Sequence, residues 1–253
     1  MLLKVLGSSG AEYPGYNPPA FLIDGALLLD AGTIGSKLTA REQLKIRDIL
    51  ITHSHLDHVK GIPFLADNII INSGKTTITV HGIKETLDSL RRNLLNDTIW
   101  PDFTKISAAI EPVLRLKRIT AGRRFRVGKF SVRAYPVNHT VPAVGYVLED
   151  DKGRTLLYTG DTGPTSAIWK ATEKMDAVII EVSFPDSMSA LAAKTGHMTP
   201  SLLVKELAKM KTPPGKVFIT HPKPQYIQQI RKELHRIGQA NIEMLIDGAT
   251  YRI

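Results

Sequence analysis

Apolar positions along this chain fall into two alternating patterns. Short runs that read as strands come first: Leu2–Leu6, Phe21–Asp30 with a bend at Asp24-Gly25, and Asp48-Ile49-Leu50-Ile51. Thr76–His81 is a further strand, and Lys84–Leu95 follows it with Leu87, Leu90 and Leu94 on one helical face. The second half repeats the style. Arg123–Val137 predicts a hairpin turning at Gly128-Lys129, and Gly145–Glu149 and Thr155–Thr159 flank the turn signal Asp150-Asp151-Lys152-Gly153. Ala177–Val182 and Val217–Thr220 are apolar strands. Pro200–Met210 predicts a helix with Thr199 as N-cap and proline at its first position, and Gln225–Ile237 predicts another. Two β-rich halves with helices outside them predict an α/β fold of two facing sheets between helical layers. No repeat, low-complexity tract or linker interrupts residues 1–253, so one domain is expected, although this length also accommodates two.

The polar residues that end these strands are unusual. Thr52-His53-Ser54-His55-Leu56-Asp57-His58-Val59-Lys60-Gly61 follows the Asp48–Ile51 run directly. Three imidazoles and a carboxylate within six positions are too dense for one ordinary structural metal site. His53 and His55 alternate by two and point the same way from an extended start. Asp57 and His58 follow where the chain must turn, so one loop can serve two neighbouring metals. Further down, His139 follows Arg133–Val137, Asp161 follows Leu156–Gly160, and His221 follows Val217–Thr220. A lone histidine at a strand end is usually structural; four strand ends bearing His or Asp make a convergent metal site the better reading.

Composition narrows the chemistry. There are no cysteines, so any metal is held by His, Asp or Glu, and thiolate nucleophiles and disulfides are excluded. The first residues, Met1–Gly7, are too short an apolar run for a signal peptide, and no run approaches a membrane span, so a soluble cytoplasmic protein is expected. The net charge of +9 is partly local: Arg115, Lys117, Arg118, Arg123, Arg124, Arg126, Lys129 and Arg133 crowd segment 115–133. Interleaved with Phe125, Val127 and Phe130, they suit the solvated face of a hairpin; they also make a field that attracts an anionic substrate.

The motif His53-x-His55-x-Asp57-His58, with His139, Asp161 and His221 in order after it, resembles the dinuclear site of the metallo-β-lactamase superfamily over essentially the whole chain. The resemblance implies a four-layer αββα sandwich. It implies one zinc on His53, His55 and His139 and a second on Asp57, His58 and His221. Asp161 would bridge them, together with a water or hydroxide. Such a pair suits in-line phosphoryl displacement, and manganese or iron fits the same ligand types.

Three segments resemble, more narrowly, the class II cyclic nucleotide phosphodiesterases. They are His53-x-His55-Leu56-Asp57-His58-x-x-Gly61, Asn96-x-x-Ile99-Trp100-Pro101-x-Phe103, and Glu181-Val182-Ser183-Phe184-Pro185 followed by Gly196-His197-x-Thr199-Pro200. The resemblance implies hydrolysis of cAMP or cGMP to the 5′-nucleotide. His197, just ahead of a helix N-terminus that favours negative charge, could protonate the leaving oxygen or bond a phosphoryl oxygen, Glu181 could orient its other ring nitrogen, and Asp57 and Asp161 could offset metal charge and orient the nucleophile. Trp100 or Phe103 would stack on the base and Thr199 would lie at the substrate, though a surface loop pinned by a buried tryptophan explains the 96–103 segment as well. A homodimer without a stable nucleic-acid partner is expected. Ribonuclease Z shares the histidine loop and the Glu…Gly-His pairing, and the charge of +9 suits RNA. A lactone or thioester hydrolase and a non-enzymatic nucleotide sensor are further alternatives. The first loop, Gly7-Ser8-Ser9-Gly10-Ala11-Glu12, departs from the usual glycine-rich pattern through Glu12 and reads as a turn. His81 and His235 read as structural and exposed, respectively.

Overall fold

Alternation within the strands decides the layers. In a computed structural model, which describes residues 1–72, 76–108 and 110–253, successive strand side chains enter different apolar clusters. Ile49 and Ile51 pack with Leu65, Leu87 and Leu90 from helices on one outer face, whereas Leu50 between them packs inward. Ala177 and Ile179 face inward to the same cluster, while Val178 and Ile180 meet Trp169, Leu203 and Ile230 on the opposite outer face. A period of two therefore yields three stacked apolar zones, hence helices, sheet, sheet and helices.

In chain order the strands and helices of the first half are β1 (Leu2–Gly7), β2 (Ala20–Ile23), β3 (Leu27–Leu29), α1 (Ala40–Gln43), β4 (Asp48–Leu50), α2 (Leu56–Val59), α3 (Gly61–Asn72), β5 (Ile78–Gly82) and α4 (Lys84–Asn93). There follow β6 (Ser107–Ala108), β7 (Glu111–Pro112), β8 (Leu114–Arg118), β9 (Arg124–Val127), β10 (Phe130–Val137), β11 (Ala143–Glu149), β12 (Thr155–Tyr158), α5 (Ala167–Ala171) and β13 (Ala177–Glu181). The chain ends with α6 (Ser189–Thr195), α7 (Pro200–Leu207), β14 (Lys216–Thr220), α8 (Ile227–Ile237), β15 (Ile242–Met244) and β16 (Thr250–Arg252). One sheet has the order β16-β1-β2-β3-β4-β5-β8 and the other β15-β14-β13-β12-β11-β10-β9. Each is antiparallel at one side and parallel at the other: β3, β4, β5 and β8 run together, as do β12 to β15.

Several expectations change in detail. The bend at Asp24-Gly25 is a hairpin turn between β2 and β3, with both residues at positive φ (47° and 74°). That conformation matches the right-handed strand twist and closes a hairpin instead of bending one strand. Thr199 holds the N-cap position of α7, but its side chain caps no helix N–H. Asp186 serves instead, accepting from the Ser201 backbone N–H at 2.8 Å. Helix α3 carries no amphipathic signal, because Gly-Ile-Pro-Phe-Leu-Ala opens it and Ile69-Ile70-Ile71 closes it. His81 is buried, bonds Asp48 at 2.8 Å and stacks on Phe125, and His235 is exposed. Among the described residues no helix is long and apolar enough to cross a membrane.

The inter-sheet zone should dominate stability. Ile179→Ala, which empties a fully buried position there, is expected to cost about 2–5 kcal/mol in urea denaturation. Ile110→Ala, at a side chain 94% exposed, should shift stability by less than about 0.5 kcal/mol; comparable losses in both would refute the three-zone description.

Candidate metal centre

Strand ends bring the donors together. β4 ends before His53 and His55, β10 before His139, β12 before Asp161 and β14 before His221, and all reach the same edge of the sandwich. His53, His55, His139 and Asp161 offer ligand atoms within 4.8 Å of one another, and so do Asp57, His58 and His221. Asp161 lies between the two sets: its Oδ2 is 3.9 Å from His53 Nε2, 3.4 Å from His58 Nε2 and 3.1 Å from His221 Nε2. Asp57 Oδ2 stands 3.4 Å from His221 Nε2 and 3.8 Å from His58 Nε2. The turn after His55 that separates the two directions is α2, with His55 as its N-cap.

Behind the donors lies a carboxylate that sequence reasoning passed over. Asp30 is fully buried at the end of β3 and accepts four hydrogen bonds. They come from the Thr52 N–H at 2.8 Å, the Thr52 hydroxyl at 2.8 Å, His58 Nδ1 at 2.7 Å and the Tyr158 hydroxyl at 2.6 Å. Thr52 Oγ1 also lies 3.0 Å from His53 Nδ1. Both histidines are thus held through Nδ1, leaving Nε2 to face the cluster. Those two Nε2 atoms are buried and have no hydrogen-bond partner among the described residues. Buried polar atoms left unpaired are costly, and nitrogen and carboxylate donors around them suit a divalent cation.

The electrostatics agree. Burial, reinforced by His58, holds His53 well below the usual histidine range. Burial also opposes charge on His58, but Asp161 and Asp30 outweigh it and raise that group well above its ordinary value. Asp161 is pulled well below the carboxylate range despite its burial, by His221 and His58. The carboxylates around His58 thus favour positive charge at that ring, whereas burial holds His53, His55 and His139 toward the neutral form that can ligate a cation.

A second buried carboxylate organises the other side. Glu181 accepts from His197 Nδ1 at 2.7 Å, the Ser183 hydroxyl at 2.7 Å, the Thr162 N–H at 3.1 Å and the Met198 N–H at 3.3 Å. Ser183 Oγ also meets His221 Nδ1 at 2.8 Å, so one carboxylate steadies both rings. Burial pushes the His197 imidazolium down, but the Glu181 charge and hydrogen bond reverse that and raise it. His221 itself has φ 65°, rare for a non-glycine residue. It persists there because its N–H bonds Ser8 O at 2.6 Å and Gly10 packs against it; a Cβ on Gly10 would sit 2.5 Å from His221 Nδ1. The first loop is thus a buttress for a cluster histidine. Its Glu12 is ion-paired to Lys60.

The structure places the three expected substrate contacts as follows. Phe103 is 3% exposed and belongs to the outer core beside Leu95 and Leu114, because the 96–103 loop folds back on β8 and leaves its ring no free face. Thr199 is buried, and the neighbouring Asp186 carboxylate is bonded by Ser201. Trp100 is half-buried and packs edge-on against Phe64 at 5.0 Å. Asp30, Ser183 and Gly10 were the positions missed. Asp30 carried a signal, an acid closing the apolar run Leu27-Leu28-Leu29; Ser183 and Gly10 carried none that sequence alone could weigh.

The model of the beta-lactamase superfamily domain matches residues 27–221, most of the chain and all seven cluster residues. This chain belongs to that superfamily. A probable 3′,5′-cyclic-nucleotide phosphodiesterase of Yersinia pestis is 28% identical over 232 residues, covering 79% of this chain. The chain spans just 66% of that relative's length. A ribonuclease Z of Halobacterium salinarum is 27% identical over 293 residues, covering 89% of each chain. Unliganded yeast PDE1 superposes with a TM-score of 0.82 at 19% identity, covering 98% of both chains, which shows the shared fold. The superfamily fold implies divalent metal binding, and the donor set here fits it.

Removing the Asp30 charge tests the arrangement. Asp30→Asn is expected to lower metal retention about 10–100-fold in dialysed protein assayed by elemental analysis, with the fold preserved. Unchanged retention would show that the buried carboxylate does not orient the donors.

Proposed function

We propose that this chain is a phosphodiesterase that hydrolyses 3′,5′-cyclic nucleotides to 5′-nucleotides, using two divalent cations, zinc by preference. One observation carries the reading: the His197–Glu181 pair, 2.7 Å apart and buried, beside the cluster centred on Asp161. His53, His55 and His139 would hold one cation, Asp57, His58 and His221 the other, and Asp161 would be shared. When bound, such cations supply a nucleophile from water at neutral pH and offset the charge of the phosphoryl group.

The protein's own side chains supply the rest. Cleavage of the P–O3′ bond leaves an alkoxide, a poor leaving group that needs a proton. Glu181 holds His197 Nδ1 and favours the protonated ring, so Nε2–H is the proton source for the 3′ oxygen. Ser183 couples Glu181 to His221 and keeps the proton donor in register with the donor cluster. Asp57, whose side chain is 31% exposed, stands on the open side and orients the attacking oxygen.

A ribonuclease Z-like endonuclease is the second reading. It is supported by the Halobacterium relative, matched over 89% of both chains, and by exposed Lys117, Arg118, Arg123, Arg124 and Arg126 on or beside the edge strands β8 and β9.

Metal-loaded protein given cAMP, cGMP and a tRNA precursor in parallel, with and without chelator, separates the two. Chelator-sensitive release of the 5′-monophosphate is the expected result; cleavage of the precursor alone would select the second reading. His197→Ala should keep its metals and lose about 10²–10⁴-fold in kcat on the cyclic nucleotide. With bis(p-nitrophenyl) phosphate, whose leaving group departs without a proton, the loss should be much smaller. Equal losses on both substrates would remove His197 from the role of proton donor.

A further inference from the structure

Beside the donor cluster, on the Asp57–His58 side, is a cavity of about 400 Å³ that no step above uses. Its wall includes Glu12, Asn17, Thr33, Lys60, Phe64 and Asn68. Its wall abuts the loop that carries Asp57 and His58. Gly32, also in that wall, packs so closely that a Cβ there would fall 1.9 Å from the Asp57 carbonyl oxygen, and Lys60 follows His58 by two residues.

The lining is selective in three ways. Its two charges, Glu12 and Lys60, are paired with each other, so the cavity carries no net attraction for a second phosphate. Its remaining polar groups are neutral. The Thr33 hydroxyl is buried without a hydrogen-bond partner among the described residues. Asn17 and Asn68 have their amide nitrogens committed to Asp247 and Gln43, at 2.8 and 2.9 Å, which leaves carbonyl oxygens as acceptors. Finally, Phe64 is 55% exposed on α3, although it is an aromatic side chain in a helix whose other large residues are mostly buried. Trp100 backs it edge-on at 5.0 Å, with 62° between the rings, and so fixes its orientation.

We propose that this cavity is the subsite for the nucleobase and its ribose, with Phe64 as the stacking platform, Trp100 as its support and Thr33 with the two asparagine carbonyls as hydrogen-bonding partners. A neutral, planar, hydrogen-bonding ligand satisfies what the lining offers; an acyl chain or a second anion does not. The volume is that of a small-ligand site, and the acceptor oxygens suit a base with an exocyclic amine. Phe64 thus takes the role the sequence suggested for Phe103, one layer further out. The subsite rests on the phosphodiester reading of the centre only for where the phosphate sits. A nucleobase reaches it either from a cyclic nucleotide or from the terminal nucleotide of an RNA strand.

Equilibrium binding to the full metal-loaded chain tests the subsite without requiring turnover. The probes are adenosine 5′-monophosphate and ribose 5-phosphate, followed by calorimetry and by tryptophan fluorescence. Trp169 is fully buried, so Trp100 is the reporter. Phe64→Ala should weaken the nucleotide about tenfold, the worth of one stacked base, and leave ribose 5-phosphate unchanged. Thr33→Val should act in the same direction. Equal binding of the nucleotide by the wild type and both variants, or no preference for nucleotide over ribose 5-phosphate, overturns the proposal. If the Phe64 dependence holds but no cyclic nucleotide is hydrolysed, the subsite stands and the proposed reaction falls. Repeating the titration with cAMP and with a short RNA oligonucleotide identifies the source, because only the true one should lose affinity in Phe64→Ala.

Discussion

The centre depends on one buried carboxylate that never needs to touch a metal. Asp30 sits at the end of β3 in one sheet and accepts the Tyr158 hydroxyl from β12 of the other, while also holding Thr52 and His58. A fully buried carboxylate with four donors fixes the geometry of whatever donates to it. Its φ of 54° turns the chain sharply at the strand end, where the side chain can reach across the sheets. Two more bonds reinforce the junction: the Tyr146 hydroxyl donates to Ile51 O at 2.7 Å, and the Val144 N–H to Thr52 O at 3.0 Å. The histidine loop is therefore clamped between sheets, and the Nε2 atoms of His53 and His58 face the cluster because Thr52 and Asp30 engage their Nδ1 atoms.

The same logic explains why the seven cluster residues were legible from sequence and their supports were not. His53, His55, His58, His139 and His221 are rare residues at the ends of apolar runs, a pattern visible without coordinates. Asp30, Ser183 and Gly10 support histidines 28, 38 and 211 residues away, and polar or small residues at turns are too common to stand out. The strands were readable because their alternation reflects burial on two faces. Helix α3 was not, since one side packs on the sheet while its remaining apolar positions, Phe64 and Ile71, stay exposed. Phe103 shows the limit from the other direction. A motif fixes which residues occur together, but the fold of the 96–103 loop decides that Trp100 faces Phe64 and Phe103 enters the core.

Glu181 plays on the second sheet the part Asp30 plays on the first. Each is a fully buried acid at a strand end, each accepts four hydrogen bonds, and each holds a histidine through Nδ1. Their consequences differ because their surroundings differ. Asp30 serves His58 within reach of Asp161, where the ring belongs to the donor set. Glu181 serves His197, which is buried beside that set and whose affinity for a proton the carboxylate raises. One structural device, repeated, thus sets two histidines for the two roles proposed above, His58 as donor to a cation and His197 as donor of a proton.

Charge balance ties these parts to folding. Asp30, Asp161 and Glu181 are all buried, and a buried carboxylate without compensating charge is strongly unfavourable. In the absence of a cation the compensation falls to imidazolium protons, as the raised affinity of His58 indicates. A divalent cation would provide the same charge without that protonation, and the Nε2 atoms of His53 and His58, buried without a partner among the described residues, would be free to ligate it. Metal binding and proton release are then coupled at this centre. Because Asp30 reaches His58 on one side and Tyr158 on the other, that coupling extends into the packing of the two sheets. The strand ends that carry the donors are for this reason also tied, through Asp30, to the contact between the two sheets.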